Sequence, residues 1–351
     1  MAVLLCQMLL VSAMFDGISS LPTGTQAVLS TSDVEMLPEF GVGFDLTASY
    51  GTAAVSFANG TVLSVAKVTA EDGYNEVLRR LSLESSQHLV PPYQNPGDAW
   101  KDKPREALRS ARKAVGLPAS ADVGYLATML SHLKVQVEEY LGAPIESAGV
   151  TSPHLVALYQ EDLQDAFDHV GLRYLTFPVR YGLLYETSAT YAGYDYGLCS
   201  DYTDRAACKE EQQDMASEVV MAVGYTGTAL TVSFSVVKSA YYLYEPDNRY
   251  LNKFTLGYDA RSRWASDDEY WVEVAKSLEE LMAENPNYKR PAKVLLMGDQ
   301  VHNAAFMRIL EAVLRRQTTD EPEISSQDPQ FAAAKGAAEL AKRLPYDPYK
   351  Q

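Results

Sequence analysis

The stretch from residue 40 to residue 68, FGVGFDLTASYGTAAVSFANGTVLSVAKV, constrains the fold more than any other part of the chain. Val42, Phe44 and Leu46 alternate toward one face, and Ala53, Val55 and Phe57 repeat the two-residue period of a strand. Asn59-Gly60 is a dipeptide that favours tight two-residue hairpin turns. The stretch therefore predicts a strand, a small-residue turn and then a hairpin. Asp45 lies inside the first strand between Phe44 and Leu46, where an unpaired carboxylate is costly. Its oxygens need a partner, such as a metal-bound water or backbone amides. The plainer alternative is an acidic residue at a strand end that caps the turn over residues 47–51.

At 351 residues and 47% hydrophobic content, the chain is large enough for two domains or one bilobed unit. A net charge of −16 argues against wrapping nucleic acid, because no basic stripe offsets it and few phosphates would be neutralised. Residues 2–15, AVLLCQMLLVSAMF, are apolar but too short to give a stable membrane span, and a Gly/Ser/Pro-rich stretch follows. This start resembles the apolar region of a secretory signal peptide, expected over residues 1–20, although no positive residue precedes it. A chain start of another kind and a buried apolar strand are the alternatives. Loss of Cys6 with a signal leaves Cys199 and Cys208, nine residues apart in GLCSDYTDRAACKEE, as a disulfide pair suited to the secretory pathway or the cell exterior. Two free thiols in a cytoplasmic protein are the alternative. Asn59-Gly60-Thr61 also matches the glycosylation pattern, but the hairpin already explains those residues.

Farther along, four prolines between residues 88 and 104 break any long element, and Asp122 opens a helix carrying Tyr125, Leu126, Met129, Leu130, Leu133, Val137, Tyr140 and Leu141, stopped by Gly142. A strand over 147–151, a helix over 161–170 ended by Gly171, a strand over 174–177 and a small-residue helix over 186–194 complete this half. After the cysteine loop, strands over 218–223 and 228–237 with a turn at 224–227 restart the pattern. A helix capped by Ser266 or Asp267, a strand over 293–297 and a helix over 303–316 follow. An alanine-rich helix opened by Asp328-Pro329 runs to Leu344. Two hairpin-led halves with flanking helices predict an α/β, two-lobed protein.

Several of these blocks together resemble the ATPase domain of the heat-shock protein seventy (DnaK-type) chaperones, within the actin-like ATPase superfamily of ribonuclease H-like fold. Gly43-Phe44-Asp45-Leu46-Thr47-Ala48-Ser49-Tyr50 is similar to the family's first phosphate loop, and Glu139 to Ile145 to its helix-to-strand segment. Tyr185-Glu186-Thr187-Ser188-Ala189 resembles the connection between lobes. Leu295-Leu296-Met297-Gly298 resembles the adenosine-contacting segment, and Asp328-Pro329 with Gly336-Ala337-Ala338 the closing helix. The resemblance implies lobe I over 39–190, a cysteine-containing loop over 191–217, a shortened lobe II over 218–320 and a closing helix and tail over 321–351. It also implies ATP or ADP with magnesium in the cleft, contacted by Thr47, Ala48, Ser49, Gly227, Thr228, Gly298 and Asp299. Asp45 would hold the metal through water, and Asp45 and Glu186 would be the catalytic carboxylates.

The departures from the family pattern are as informative. The second hairpin reads Gly224-Tyr225-Thr226-Gly227-Thr228-Ala229, without the carboxylate and glycine run that hold magnesium and phosphates. Thr47 stands where the first loop has glycine, Asp299 where a second glycine follows Gly298, and no equivalent of the catalytic lysine is evident. The subdomain inserted into lobe II is expected to be largely missing, and the resemblance does not extend to a peptide-binding domain. Phosphoryl transfer depends on positioning and metal charge. The expectation is a degenerate ATPase-like interaction module with an unidentified protein partner; the alternative is a slow ATPase or phosphotransferase.

Overall fold

The computed structural model describes residues 40–178, 182–244, 249–283, 290–317 and 321–348. The expected signal segment lies outside the described residues. Three strands open the fold as predicted: β1 (Phe40–Leu46), β2 (Tyr50–Phe57) and β3 (Val62–Thr69), the last two joined by the turn in which Gly60 takes a φ of +87°. Asn59 lies exposed in that turn, where its side-chain oxygen accepts the Thr61 amide at 2.9 Å. Helices α1 (Asp72–Leu81), α2 (Pro96–Ala114) and α3 (Ala121–Leu141) follow, then β4 (Ser147–Thr151), α4 (Gln160–His169), β5 (Arg173–Tyr174) and α5 (Glu186–Gly193). The sheet order β3-β2-β1-β4-β5 combines an antiparallel hairpin edge with parallel central pairing.

The second lobe repeats this plan. After α6 (Arg205–Asp214) come β6 (Glu218–Tyr225), β7 (Leu230–Ser239), β8 (Tyr242–Tyr244), β9 (Tyr250–Lys253), α7 (Asp267–Ala283), β10 (Lys293–Met297), α8 (Ala304–Gln317), β11 (Glu323–Ser325) and α9 (Ala332–Arg343). The order β11-β10-β6-β7-β8, with β9 also on β7, matches the first sheet strand for strand: β6 and β7 form the antiparallel hairpin and β10 and β11 add in parallel. This repeated mixed-sheet topology is typical of the two-lobed actin-like, ribonuclease H-like fold.

Two helices are exchanged between the lobes. α9 lies on β1, β2 and β4 of the first sheet, whereas α5 packs on β6, β7 and β10 of the second, and α5 and α9 pack on each other. β1 accommodates this by alternation: Val42, Phe44 and Leu46 enter the first core, while the other face carries Gly41 and Gly43. A Cβ at Gly43 would meet the Ala338 amide at 2.1 Å and the Ala334 carbonyl at 2.3 Å, so the helix backbone rests directly on the strand. Ala189, Tyr191 and Ala192 of α5 share an apolar cluster with Val220, Leu295, Ala333 and Ala337. Glu339, buried in α9, pairs with Lys342 at 2.7 Å and Arg343 at 2.6 Å and accepts a hydrogen bond from Ser56 of β2.

Several boundaries differ from the sequence reading. Pro104 does not end an element but sits inside α2. In an isolated helix it would cost about 3 kcal/mol. The helix continues because Arg109 beyond it is anchored to Asp162 at 2.8 Å and Asp165 at 2.7 Å. Ser120, rather than Asp122, caps α3 by accepting the Val123 amide at 3.1 Å, and Tyr125 and Tyr140 are exposed. Ser266 caps α7 through the Glu269 amide. The expected strand over 174–177 shrinks to Arg173–Tyr174, and the second hairpin turns at residues 226–229, two residues later than expected. Asp328, at φ +47°, turns the chain before α9 instead of capping it.

The cysteine loop contains α6, and Cys199 and Cys208 form a disulfide with a Cα–Cα distance of 5.2 Å across nine residues. Closing a loop of that length restricts the unfolded chain by about 2–3 kcal/mol. Urea unfolding of Cys199→Ser/Cys208→Ser is expected to report a loss of that size; a midpoint equal to the parent's would remove the bridge from the list of stabilising elements.

Candidate functional site

The parallel register of β1 on β4 sets Asp45 opposite Thr151, and the next residue, Ser152, bridges to Tyr185. The Glu186 amide donates to the Ser152 carbonyl at 3.0 Å. Asp45 and Glu186, 141 positions apart in sequence, therefore meet at the carboxyl ends of parallel strands, where open α/β sheets place their sites. Both are buried, at 3% and 5% exposure. Burial raises the Asp45 carboxyl to about 8, moderated by the hydrogen bond it accepts from Glu186; burial and the Asp45 charge hold Glu186 well above its usual range. Asp45 thus finds its partner in a second carboxyl rather than in amides. Tyr74 of α1 closes this floor, its hydroxyl donating to the Thr47 carbonyl at 3.2 Å.

The turn after β1 is closed by its own side chain. Thr47 Oγ1 accepts the amides of Ser49 at 3.2 Å and Tyr50 at 3.1 Å and donates to the Tyr50 carbonyl at 2.8 Å, with Ala48 buried between. The second turn does the same: the Ala229 amide reaches Thr226 Oγ1 at 3.2 Å. The Thr228 amide then crosses to the other lobe and donates to Ser49 Oγ at 2.9 Å. Residues after β9 hold this turn from behind, with the Tyr258 and Asp259 amides donating to the Thr226 and Gly227 carbonyls. A Cβ at Gly227 would stand 2.5 Å from an Asp259 carboxylate oxygen.

At the mouth of the cleft, Lys67 Nζ lies 4.0 Å over the Tyr50 ring and bridges to Asp299 at 2.9 Å and Gln330 at 3.2 Å. Gly298, at φ +103°, donates its amide to the Pro329 carbonyl, and a Cβ there would meet the Tyr225 carbonyl at 2.3 Å. His302 is exposed in the turn before α8, whose start Asn303 caps. Below Glu186 lies a cavity of about 10 Å³ bounded by His154, Thr187, Ser233 and Met297, room for one water. His154 stacks on Tyr185 at 3.9 Å, its Nε2 lies 3.1 Å from Thr187 Oγ1, and Thr187 Oγ1 lies 2.6 Å from Ser233 Oγ of β7. Asn252 of β9 donates to the His154 carbonyl at 2.6 Å.

Three side-chain contacts between distant parts of the chain involve residues among the nine that the resemblance names. Asp45 joins Glu186, Ser49 joins Thr228, and Asp299 is drawn to Lys67. Lys67 and Asp259 were not foreseen, since their partners are brought near only by tertiary pairing. Among the described residues no group of three or more histidine, cysteine or carboxylate side chains forms a metal-binding cluster, and no helix is long and apolar enough to cross a membrane. No protein-family model matches the chain, and no curated protein matches it.

Proposed function

We propose that this protein is a two-lobed, actin-like scaffold that serves as a protein-interaction module and does not hydrolyse ATP efficiently. The observation that carries this reading is the 2.9 Å hydrogen bond from the Thr228 amide to Ser49 Oγ, which joins the two turns that a nucleotide's phosphates would separate. Four turn amides, those of Ser49, Tyr50, Thr228 and Ala229, are satisfied by protein hydroxyls and are not turned toward an anion. Metal ligands must be deprotonated, and burial raises both the Asp45 and the Glu186 carboxyl above their usual range, which disfavours the ionised pair a metal would need. Lys67, at the mouth, is already matched by Asp299. These residues do not fit a magnesium nucleotide, and no catalytic step is assigned through one. The Cys199–Cys208 disulfide supports a place in the secretory pathway or outside the cell.

Calorimetric titration with ATP and ADP, with and without magnesium, is expected to give dissociation constants weaker than about 1 mM, which corresponds to roughly 4 kcal/mol of binding. Magnesium-dependent turnover at the rate of an intact heat-shock protein seventy ATPase domain would sink the proposal. The convergence of Asp45 and Glu186 favours a second reading, a slow phosphotransferase that acts after the lobes part. That reading requires measurable turnover that disappears in Asp45→Asn.

A further inference from the structure

Asn59-Gly60-Thr61 forms the tip of the β2–β3 hairpin, and the hairpin uses only part of these three residues. The Gly60 amide donates to the Phe57 carbonyl at 3.0 Å, and the Phe57 amide donates to the Thr61 carbonyl at 2.8 Å. The left-handed φ of +87° at Gly60 calls for glycine. Asn59 contributes its side-chain oxygen, which accepts the Thr61 amide at 2.9 Å, a bond that an aspartate would make as well. At residue 61 the chain enters β3, where any β-branched residue, valine included, would serve. Two groups are therefore surplus to the turn, Asn59 Nδ2 and Thr61 Oγ1. Among the described residues neither has a hydrogen-bond partner.

These are the two groups that attachment of an N-linked glycan requires: a side-chain amide nitrogen as acceptor and a hydroxyl two residues on. Of the eight asparagines in the chain, only Asn59 has Ser or Thr at that spacing, so a single position would account for every such glycan. The position is open. Residues 58–61 are all exposed, and a Cβ at Gly60 would meet no atom within 4 Å. The base of the hairpin is what the fold holds: Lys342 Nζ of α9 donates to the Phe57 carbonyl at 3.3 Å, and the Phe57 ring lies 6.2 Å from that of Phe40. A bulky group at the tip displaces nothing. The eight residues of β2, about 23 Å of strand, separate the tip from the turn after β1, so glycan and cleft do not compete for space.

We propose that Asn59 carries an N-linked oligosaccharide, added as the chain enters the secretory pathway; the proposal rests on the secretory reading above, which the disulfide supports. The donor is an oligosaccharide joined to a lipid pyrophosphate, and the catalyst is the membrane-bound transferase that uses it. Asn59 Nδ2 forms a bond to the anomeric carbon of the donor sugar while the bond from that carbon to the pyrophosphate oxygen breaks. The lipid pyrophosphate leaves, and the nitrogen gives up one proton to a base of the transferase. No atom changes oxidation state. Asn59 Oδ1 still accepts the Thr61 amide afterwards, so the turn persists under the glycan. The sugar then extends from the end of β3, the edge strand of the first sheet, and adds hydrophilic bulk beside backbone groups that another strand would pair with.

The test is synthesis of the full chain in a cell extract supplied with microsomes. A single step in gel mobility is expected, removed by peptide N-glycosidase. With that enzyme run in heavy-oxygen water, mass spectrometry should find an isotopically marked aspartate where Asn59 stood, which spontaneous deamidation beforehand would leave unmarked. Asn59→Gln and Thr61→Val should each abolish the step, and Thr61→Ser, which restores the hydroxyl, should keep it. Thr61→Val leaves the backbone bonds of the turn in place, so loss of the step in that variant is not loss of fold. Entry into the microsomes is read independently, by protection from added protease and by resistance of Cys199 and Cys208 to alkylation. A protected, bridged chain without the step overturns the proposal and leaves the secretory reading standing. An unprotected chain whose two cysteines alkylate overturns both. A step that survives Asn59→Gln, or marked oxygen at another residue, overturns the proposal as well.

Discussion

Gly336→Val is expected to leave no soluble folded protein. Gly336 lies at the crossing of α9 with α5, and a Cβ there would stand 1.6 Å from the Ala189 carbonyl oxygen and 2.7 Å from the Gly193 amide. The obstructing atoms are backbone, so no side chain can swing aside. The helices would have to separate, and with them α9 from the β1 glycines and α5 from the second sheet. A core that must be pried apart in this way loses on the order of 5 kcal/mol, comparable with the whole stability of many domains. Gly43→Val should do the same from the strand side. Gly97→Ala, where no atom lies within 4 Å of the added carbon, is the matched control and should stay within about 1 kcal/mol of the parent. Soluble yield and thermal unfolding by circular dichroism decide the matter. A folded Gly336→Val protein would show that the two helices cross with room to spare.

The second large effect is a stability that falls as pH rises. An unfolded Asp or Glu releases its proton near pH 4. In the folded protein burial holds the Asp45 proton up to about 8 and raises the Glu186 carboxyl well above its usual range. Between these limits the native state binds more protons than the unfolded chain, so the stabilisation is complete below about pH 4 and is lost as pH climbs through the window, by ~1.4 kcal/mol per pH unit for each proton. Urea midpoints at pH 5, 6.5 and 8 should therefore decline in order. Asp45→Asn removes one of the two protons and keeps a hydrogen-bonding amide facing Glu186. It should flatten the decline and exceed the parent at pH 8 by on the order of 2–3 kcal/mol. A parent whose midpoint rises between pH 5 and 8 would mean that the pair is ionised and neutralised in some other way.

Much of the fold was legible because its signals are local. The hairpin at Asn59-Gly60, the left-handed stop at Gly142 and the two-residue alternation of β1 each act within a few residues, and each reappears in the structure. Pro104 misled because the ion pairs that carry α2 past it come from α4, more than fifty residues away. In the site, Asp45 and Glu186 were legible as a cleft pair only through resemblance to an ordered series of blocks. Burial, which decides their protonation, has no local signature. The Lys67–Asp299 bridge joins residues separated by 232 positions, and neither carries a mark that distinguishes it from a solvated charge. Thr47, where the family's first loop has glycine, interposes a side chain. Its hydroxyl does more, by taking up the very amides that would have bound a phosphate.

The exchange of α5 and α9 between lobes also sets a timetable for the nascent chain. Ser56 of β2 and Glu339 of α9 are partners separated by 283 residues. At a synthesis rate of ~5–20 residues per second, the glycine-bearing face of β1 waits roughly 15–60 s for the helix that covers it. The first sheet therefore leaves the ribosome with its pairing available and one face bare, and it cannot mature as an independent unit in the order it is made. Whatever handles this protein during synthesis has to tolerate an open sheet until nearly the last helix emerges.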